Sequence, residues 1–390
     1  MKTSPERPAA TLPNRPDATA DAAQLTFSAN ERRVLQLVRL GKATTRAELA
    51  QETALTAQSI SRIVDALVGR GLLTLGERII QGRGQPSVQL QLHRGAVHTV
   101  GLSIMTDAVS GAVMNLAGEV VVTRWRHLTA LDRPAILGSC RALYEELLAV
   151  AGLAPRDIAG IGVGVTGAFT GQNRQVNPPD PLDALALVDL DQLLADTLER
   201  PIWLDNDGNV AAIGEALNGV GRRHATFAYL FFAMGFGGGV VINGALYPGV
   251  FGNAGEFAGV LSPADQDHRP TLELLRQVLA RHGQPYADIY QMIRHFDPAV
   301  PGIEEWLGLV TPRLTAIVSA ISAVLDPEAI VLGGRIPRGL AERLVAEISF
   351  YNVPRRGVTK PLPALLVTEV EGDAAAIGAA ALPMKARFFA

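Results

Sequence analysis

The chain has 390 residues, 48% of them apolar, a net charge of −3 and a single cysteine, Cys140. That length and composition allow two or three domains with sizeable cores, and they exclude wholesale disorder, an internal disulfide and a cysteine zinc cage. The charge is uneven: residues 1–94 carry 13 Lys/Arg against 8 Asp/Glu, the remainder 22 against 30. A basic front on an acidic body fits a nucleic-acid-binding head.

Residues 1–27, rich in Pro, Ala and Thr and without the apolar core of a signal peptide, read as a disordered tail. Residues 28–95 read as three short helices and a hairpin. In the first helix Val34, Leu35, Leu37 and Val38 make an apolar stripe that Gly41 is placed to end. The second opens at Thr45 with Glu48 three residues on, a capping box. Thr56 can cap the third, Leu55 and Ile60 are spaced as a hydrophobic staple, and Ile60, Ile63, Val64, Leu67 and Val68 form its inner stripe. Gln58, Ser59, Ser61 and Arg62 then face outward near the helix start, with side chains suited to base edges and phosphates. "SVQLQL" alternates as a half-buried strand does. The whole is a winged helix-turn-helix whose third helix enters the major groove. Thr45 and Thr56, at the helix starts, and Arg83, in the hairpin tip "IIQGRGQPS", join the expected DNA contacts. A helical packing domain with no DNA role is the alternative.

This segment resembles the N-terminal domain of regulators of the ROK family (repressor, open reading frame, kinase), where a "GRP"-like turn joins the strand pair. Here that turn reads Gly82-Arg83-Gly84-Gln85-Pro86.

From residue 96 to 390, β-rich runs alternate with helical ones. "HTVGLSIM", a hairpin turning at Ala117-Gly118, a helix with Pro134 near its start and "IAGIGVGV" open one α/β lobe. "IWLDND", "GNVAAIGEALNG", "FAYLFFA" and "GGVVI" open a second with a similar pattern. A duplicated fold with a cleft between lobes follows, the actin-like, sugar-kinase-like (ribonuclease H-like) α/β architecture. The run "FAYLFFAMGFGGGVVI" is too short and glycine-broken for a membrane span, and a cytoplasmic protein is expected.

The ROK resemblance extends over this body. "WLDNDGNVAAIGEA" resembles the segment whose Asn-Asp pair contacts sugar hydroxyls, which implies Asn206 and Asp207, with Asp207 the base were the chain a kinase. "NAGEFAG" implies Glu256, a later loop implies Glu273, and "RQVNPPD" implies Asn177 as further sugar contacts. For Asn206-Asp207 a plain capping role at the helix that follows is the alternative. "LDPEAIVLGG" resembles the segment that packs on adenosine, with Gly333 and Gly334. Family kinases carry Asp-x-Gly-Gly-Thr in the first phosphate loop, and this chain has Ser103-Ile104-Met105-Thr106-Asp107. The carboxylate that serves Mg²⁺ and both glycines are gone, and Asp107 would repel a polyphosphate. In the second loop a Gly-Thr-Gly becomes Ala233-Met234-Gly235. The family's zinc histidine is replaced by Gly259 and its cysteine loop by "VLSPADQDHRPTLE", so no metal and no cofactor are expected. The glycines around Gly237 then shape the wall of a sugar cleft and its hinge.

The resulting expectation is a transcriptional regulator, a repressor of carbohydrate genes. It binds an inverted-repeat operator as a homodimer or homotetramer and senses a sugar or sugar derivative in a non-catalytic cleft. An ATP-dependent sugar kinase with a fused DNA-binding head is the enzyme alternative. A ligand-independent DNA-binding protein is the third.

Overall fold

The computed structural model describes residues 21–79, 87–170, 175–352, 354 and 356–389. The head consists of α1 (Ala29–Arg39), α2 (Arg46–Thr53), α3 (Ala57–Gly69) and the antiparallel strands β1 (Leu73–Ile79) and β2 (Ser87–Leu92). Local chemistry sets its boundaries. Ser28 and Glu31 form a capping box on α1, Thr45 and Glu48 one on α2, and the Thr56 hydroxyl accepts from the Ser59 N–H on α3. Val34, Leu35, Val38, Leu49, Ile60, Val64 and Leu67 are buried together, the inner stripe the spacing predicts.

The disordered reading of residues 1–27 fails for its last part. Ala22 is buried, the Phe27 ring lies 5.0 Å from that of Phe388, and Arg387 donates to the carbonyls of Ala23 and Leu25 at 2.6 and 2.8 Å. Apolar side chains at 22, 25 and 27 have a surface on the body to cover, which composition alone does not reveal.

The first lobe runs β3 (His98–Ile104), β4 (Ala108–Asn115), β5 (Val120–His127), α4 (Arg133–Ala151), β6 (Ile158–Val165), β7 (Ala168–Thr170), β8 (Gln175–Asn177), α5 (Leu190–Leu198) and β9 (Ile202–Asn206). Its sheet has the order β5-β4-β3-β6-β9, the first three strands antiparallel and the last three parallel. After α6 (Asp207–Asn218), the second lobe repeats the plan. It comprises β10 (Phe227–Phe232), β11 (Phe236–Ile242), β12 (Ala245–Leu246), α7 (Leu272–Arg281), α8 (Ile289–Arg294), α9 (Ile303–Leu325), β13 (Ala329–Gly334), α10 (Arg338–Glu347) and β14 (Ala364–Val367). Its sheet order, β12-β11-β10-β13-β14, has the same split between antiparallel and parallel strands. The duplication expected from the strand pattern is therefore present strand for strand.

At 23 residues α9 is long and apolar enough to cross a membrane, yet Trp306, Leu307, Val310, Leu314, Ile317 and Val318 bury its inner face in the second lobe. The last helix, α11 (Ala374–Phe388), lies between the lobes. It crosses α6 so closely that a Cβ on Gly378 would sit 1.7 Å from the Val210 carbonyl oxygen. The same helix covers the first sheet, where the Thr99 hydroxyl donates to the Ala380 carbonyl at 2.7 Å and a Cβ on Gly101 would meet the Ala376 carbonyl at 1.9 Å. Small residues at these crossings are a steric requirement.

Candidate functional site

β9 and α6 deliver the Asn-Asp pair to the cleft. Asn206 caps α6, its Oδ1 accepting from the N–H groups of Gly208 and Asn209 at 2.8 and 3.2 Å, while its Nδ2 donates to the Gly167 carbonyl at 2.7 Å. The capping alternative thus describes Asn206. Asp207 is different. It is 5% exposed, accepts the Thr166 hydroxyl at 2.6 Å, and takes one N–H, from Gly208, at 2.9 Å. Burial pushes its pKa up to about 7 despite those hydrogen bonds, and the nearby charges of Glu256 and Asp373 add to the rise. Burial also raises the Glu256 carboxyl.

These groups line one cavity of about 310 Å³, which also takes in Asn177, Thr166, Phe236, Gly238 and Arg269. Two carboxylates, an amide and a hydroxyl converging in such a space can pair with adjacent hydroxyl groups. Gly238 explains part of the glycine frame: a Cβ there would lie 1.8 Å from the Tyr229 carbonyl, and its own carbonyl is approached by both Gly208 and Gly255. The frame lets three backbone segments meet behind the cavity.

Glu273 is the exception among the expected sugar contacts. It is absent from the lining of this cavity and instead pairs along α7 with Arg276, through two hydrogen bonds of 2.7 and 2.8 Å. Arg276, fixed also by the Tyr286 carbonyl, holds that carboxylate to the helix. Arg269, on the loop that replaces the family's cysteine loop, reaches the cavity wall and is missed by sequence reasoning, because the shortened loop offers no spacing to align. Gly259 has open space around it. Among the described residues no group of three or more His, Cys, Asp or Glu side chains is arranged to hold a metal ion.

The other side of the cleft is filled by protein. Asp107, just before β4 in the first lobe, is 6% exposed and takes both terminal nitrogens of Arg335, which follows β13 in the second lobe, at 2.5 and 3.1 Å. The Tyr290 N–H of α8 donates to the same carboxylate at 2.5 Å. Beside this pair His127 of β5 bonds Asp288 at 2.8 Å and stacks on Tyr290 with ring centres 4.8 Å apart. Five side chains and a backbone N–H therefore tie lobe to lobe. The charge of Asp107, expected to repel phosphate, is neutralised from within the protein.

On the head, Gln58 and Arg62 are exposed along one face of α3, and Ser59 and Ser61 are half-buried beside them. The hydroxyls of Thr56 and Ser59 lie 2.9 Å apart. Thr45 does not belong to this surface: it is 2% exposed and its side chain caps α2. A residue that satisfies a buried helix start cannot also reach a base. Arg83 lies outside the described residues.

The sequence profile of the ROK family matches residues 99–268. The chain is 29% identical over 366 residues to the uncharacterized protein y4fQ of Sinorhizobium fredii, covering 93% of this chain and 92% of that one. It is 26% identical over 239 residues to the xylose repressor of Bacillus subtilis, spanning 60% of this chain and 62% of the repressor's length. The crystal structure of a ROK family transcriptional regulator, a homologue of the E. coli MLC protein, superposes with a TM-score of 0.65 at 20% identity over 92% of this chain and 95% of that one. That likeness shows the fold, head included. The chain is thus similar to the ROK family over residues 99–268, within the duplicated fold described above.

Proposed function

We propose that this protein is a sugar-responsive transcriptional repressor in which α3 reads DNA and the cleft binds a sugar or sugar derivative without phosphorylating it. The observation that carries the reading is the Asp107–Arg335 pair. It occupies the junction of the two segments that resemble the phosphate loop and the adenosine segment of the kinases, while the sugar-facing side keeps Asp207 and Glu256 on an open cavity. A polyphosphate needs backbone N–H groups and cations there. Here the cation is already bound to a carboxylate. The full-length likeness to a ROK regulator and the partial likeness to xylose repressors support the same reading, and xylose is the first sugar to test.

Gln58, Ser59 and Arg62 are the proposed DNA contacts, with Arg83 on the wing. Two heads in a symmetric dimer would read an inverted repeat. Tyr351 and Leu362 edge a groove along α9 with Ala316, Ala320 and Ala323, and Tyr351 is 70% exposed, apolar surface suited to subunit contact. Ligand closes the lobes and, through the better contacts of the closed state, selects one placement of the heads. Such a protein works beside the chromosome, in the cytoplasm.

The test is retention of sheared genomic DNA by the purified protein, followed by sequencing. The expected result is enrichment of a few inverted repeats, released by the effector sugar. Retention no more selective than that of an Arg62→Ala variant would refute the reading, since removing one base or phosphate contact should cost about 1–3 kcal/mol at a specific site. One observation favours the kinase reading: the pKa of Asp207 near 7 suits a general base. Sugar-dependent ADP release with Mg-ATP would establish that alternative.

A further inference from the structure

The head shares its core with one lobe of the body. Leu35, Val38 and Leu49 are buried in a single cluster with Leu116 and Ala159 of the first lobe and with Phe388 and Phe389 at the end of α11. The polar contacts run the same way. Arg32 of α1 donates through Nε to the Phe389 carbonyl at 2.8 Å, and the Arg39 guanidinium lies 4.7 Å from the Phe389 ring centre. The Arg387 guanidinium donates to the Ala159 carbonyl of β6 at 2.6 Å as well as to Ala23 and Leu25, ahead of α1. The second lobe comes near the head differently, at a cavity of about 280 Å³. Gln36 and Arg39 of α1 line it, and so do Asn243, Gly244, Ala245 and Leu246 of the β11–β12 turn. The head is close-packed on the first lobe and borders empty space beside the second.

The two helices between the lobes divide in the same way. α11 lies on β3, β4, β6 and β9, and it is bonded to that sheet by the Thr99 hydroxyl at Ala380 and the Ser110 hydroxyl at Asp373. α6 lies mainly on β10, β11 and β12. Its buried Glu215 accepts from the Val220 and Glu369 N–H groups at 2.8 and 3.1 Å and from the Thr368 hydroxyl at 2.5 Å, all in the second lobe. Where α6 meets α11 the surfaces are bare: Gly214 faces the Ala374 carbonyl and Gly378 faces the Val210 carbonyl. With no side chains interlocked at those points, one helix can turn on the other. We propose that the head and the first lobe are one rigid body, joined through Phe388 and Phe389, and that the second lobe turns against both at the α6–α11 crossing, changing the gap at the β11–β12 turn. The functional consequence rests on the sugar reading above: closure on a ligand carries the head with the first lobe, away from or toward the α9 groove of the second. The spacing of two heads in a dimer then follows the angle between lobes.

Spin-label distances in the full-length protein test this without DNA or sugar, so the result stands whether or not the cleft binds a sugar. Exposed positions take the labels in pairs: Glu52→Cys on the head, Ala149→Cys on α4 of the first lobe and Ala346→Cys on α10 of the second. The native Cys140 is buried, with its thiol pushed up to about 12, and stays unlabelled. Asp107→Leu with Arg335→Met removes the ion pair that joins the lobes. In that background the lobe-to-lobe and head-to-second-lobe distributions should at least about double in width, while the head-to-first-lobe distribution keeps its width. Arg32→Ala with Phe389→Ala should do the reverse, broadening the head-to-first-lobe distance and leaving the lobes as they were. A head-to-first-lobe distance that loosens with the ion pair gone, or lobes that do not loosen at all, would overturn the proposal. So would a head that stays fixed without Arg32 and the Phe389 ring. If the Asp107 and Arg335 variant fails to fold, His127→Ala with Asp288→Asn removes the neighbouring contact between lobes, and the same three distances decide it.

Discussion

The two sides of the cleft differ in who satisfies their polar groups. On the side of the proposed sugar site Asp207 receives a hydroxyl and one N–H, Glu256 lies on the cavity, and both carboxyls are pushed toward the neutral form by burial. On the other side Asp107 is matched in charge by Arg335 and takes the Tyr290 N–H as well. One side is left incomplete, so a ligand with hydroxyls can finish it. The other is closed by an ion pair that leaves only Arg335 Nε without a partner, so a ligand there must first displace a salt bridge. A binding site is recognisable by unfinished polar chemistry more than by its place in a familiar fold.

The largest effect that would break this contrast comes from the finished side. Arg335→Ala leaves Asp107 buried and unpaired and should destabilise the fold by about 3–5 kcal/mol in urea unfolding. The double variant Asp107→Leu with Arg335→Met should recover most of that loss, because an apolar pair needs no partner charge. A double variant as unstable as the single one would show that the pair fixes geometry that packing cannot replace.

On the unfinished side, Asp207→Ala should weaken sugar binding by about 1.5–3 kcal/mol, the range of hydrogen bonds to a charged group, and abolish sugar-driven release of DNA. Stability should respond little or rise at pH 8, since the carboxylate is a burden there. Its pKa is raised from 3.8 to about 7, so the unfolded chain releases this proton first and the group lowers stability progressively as pH rises from about 4 to about 7.

A smaller, sharper test uses pH. If sugar hydroxyls donate to ionised Asp207, affinity should fall roughly tenfold between pH 8 and pH 6, as the ionised fraction falls through the pKa of about 7. Asp207→Asn should flatten that profile. A profile that stays steep in the variant would move the titrating group to Glu256. The smallest effect is expected from His127→Ala, whose half-buried pairing with Asp288 should be worth no more than about 1 kcal/mol.

What the sequence discloses follows from range. Thr45 with Glu48 and Asn206 with Gly208 are local pairings, and residue type and spacing suffice to read them. The inner stripe of α3 and the repeated sheets are also legible, since hydrophobic period and strand order are written along the chain. Asp107 and Arg335 are 228 residues apart, and no local pattern joins them. The docking of residues 21–27 onto Phe388 is equally remote. Glu273 is the reverse case: its partner Arg276 is only three residues away, a pairing along α7 that residue type and spacing alone make legible.

The crossing of α11 over the first sheet has a consequence for how the molecule is made. The sheet β5-β4-β3-β6-β9 is complete in sequence by Asn206, but the helix that fits against Gly101 and bonds Thr99 begins at Ala374. On the ribosome, the first lobe must wait, with one face of its sheet uncovered, until the second has been synthesised. A chain stalled between the two would expose that face and be a substrate for chaperones, and the lobes reach their native state together.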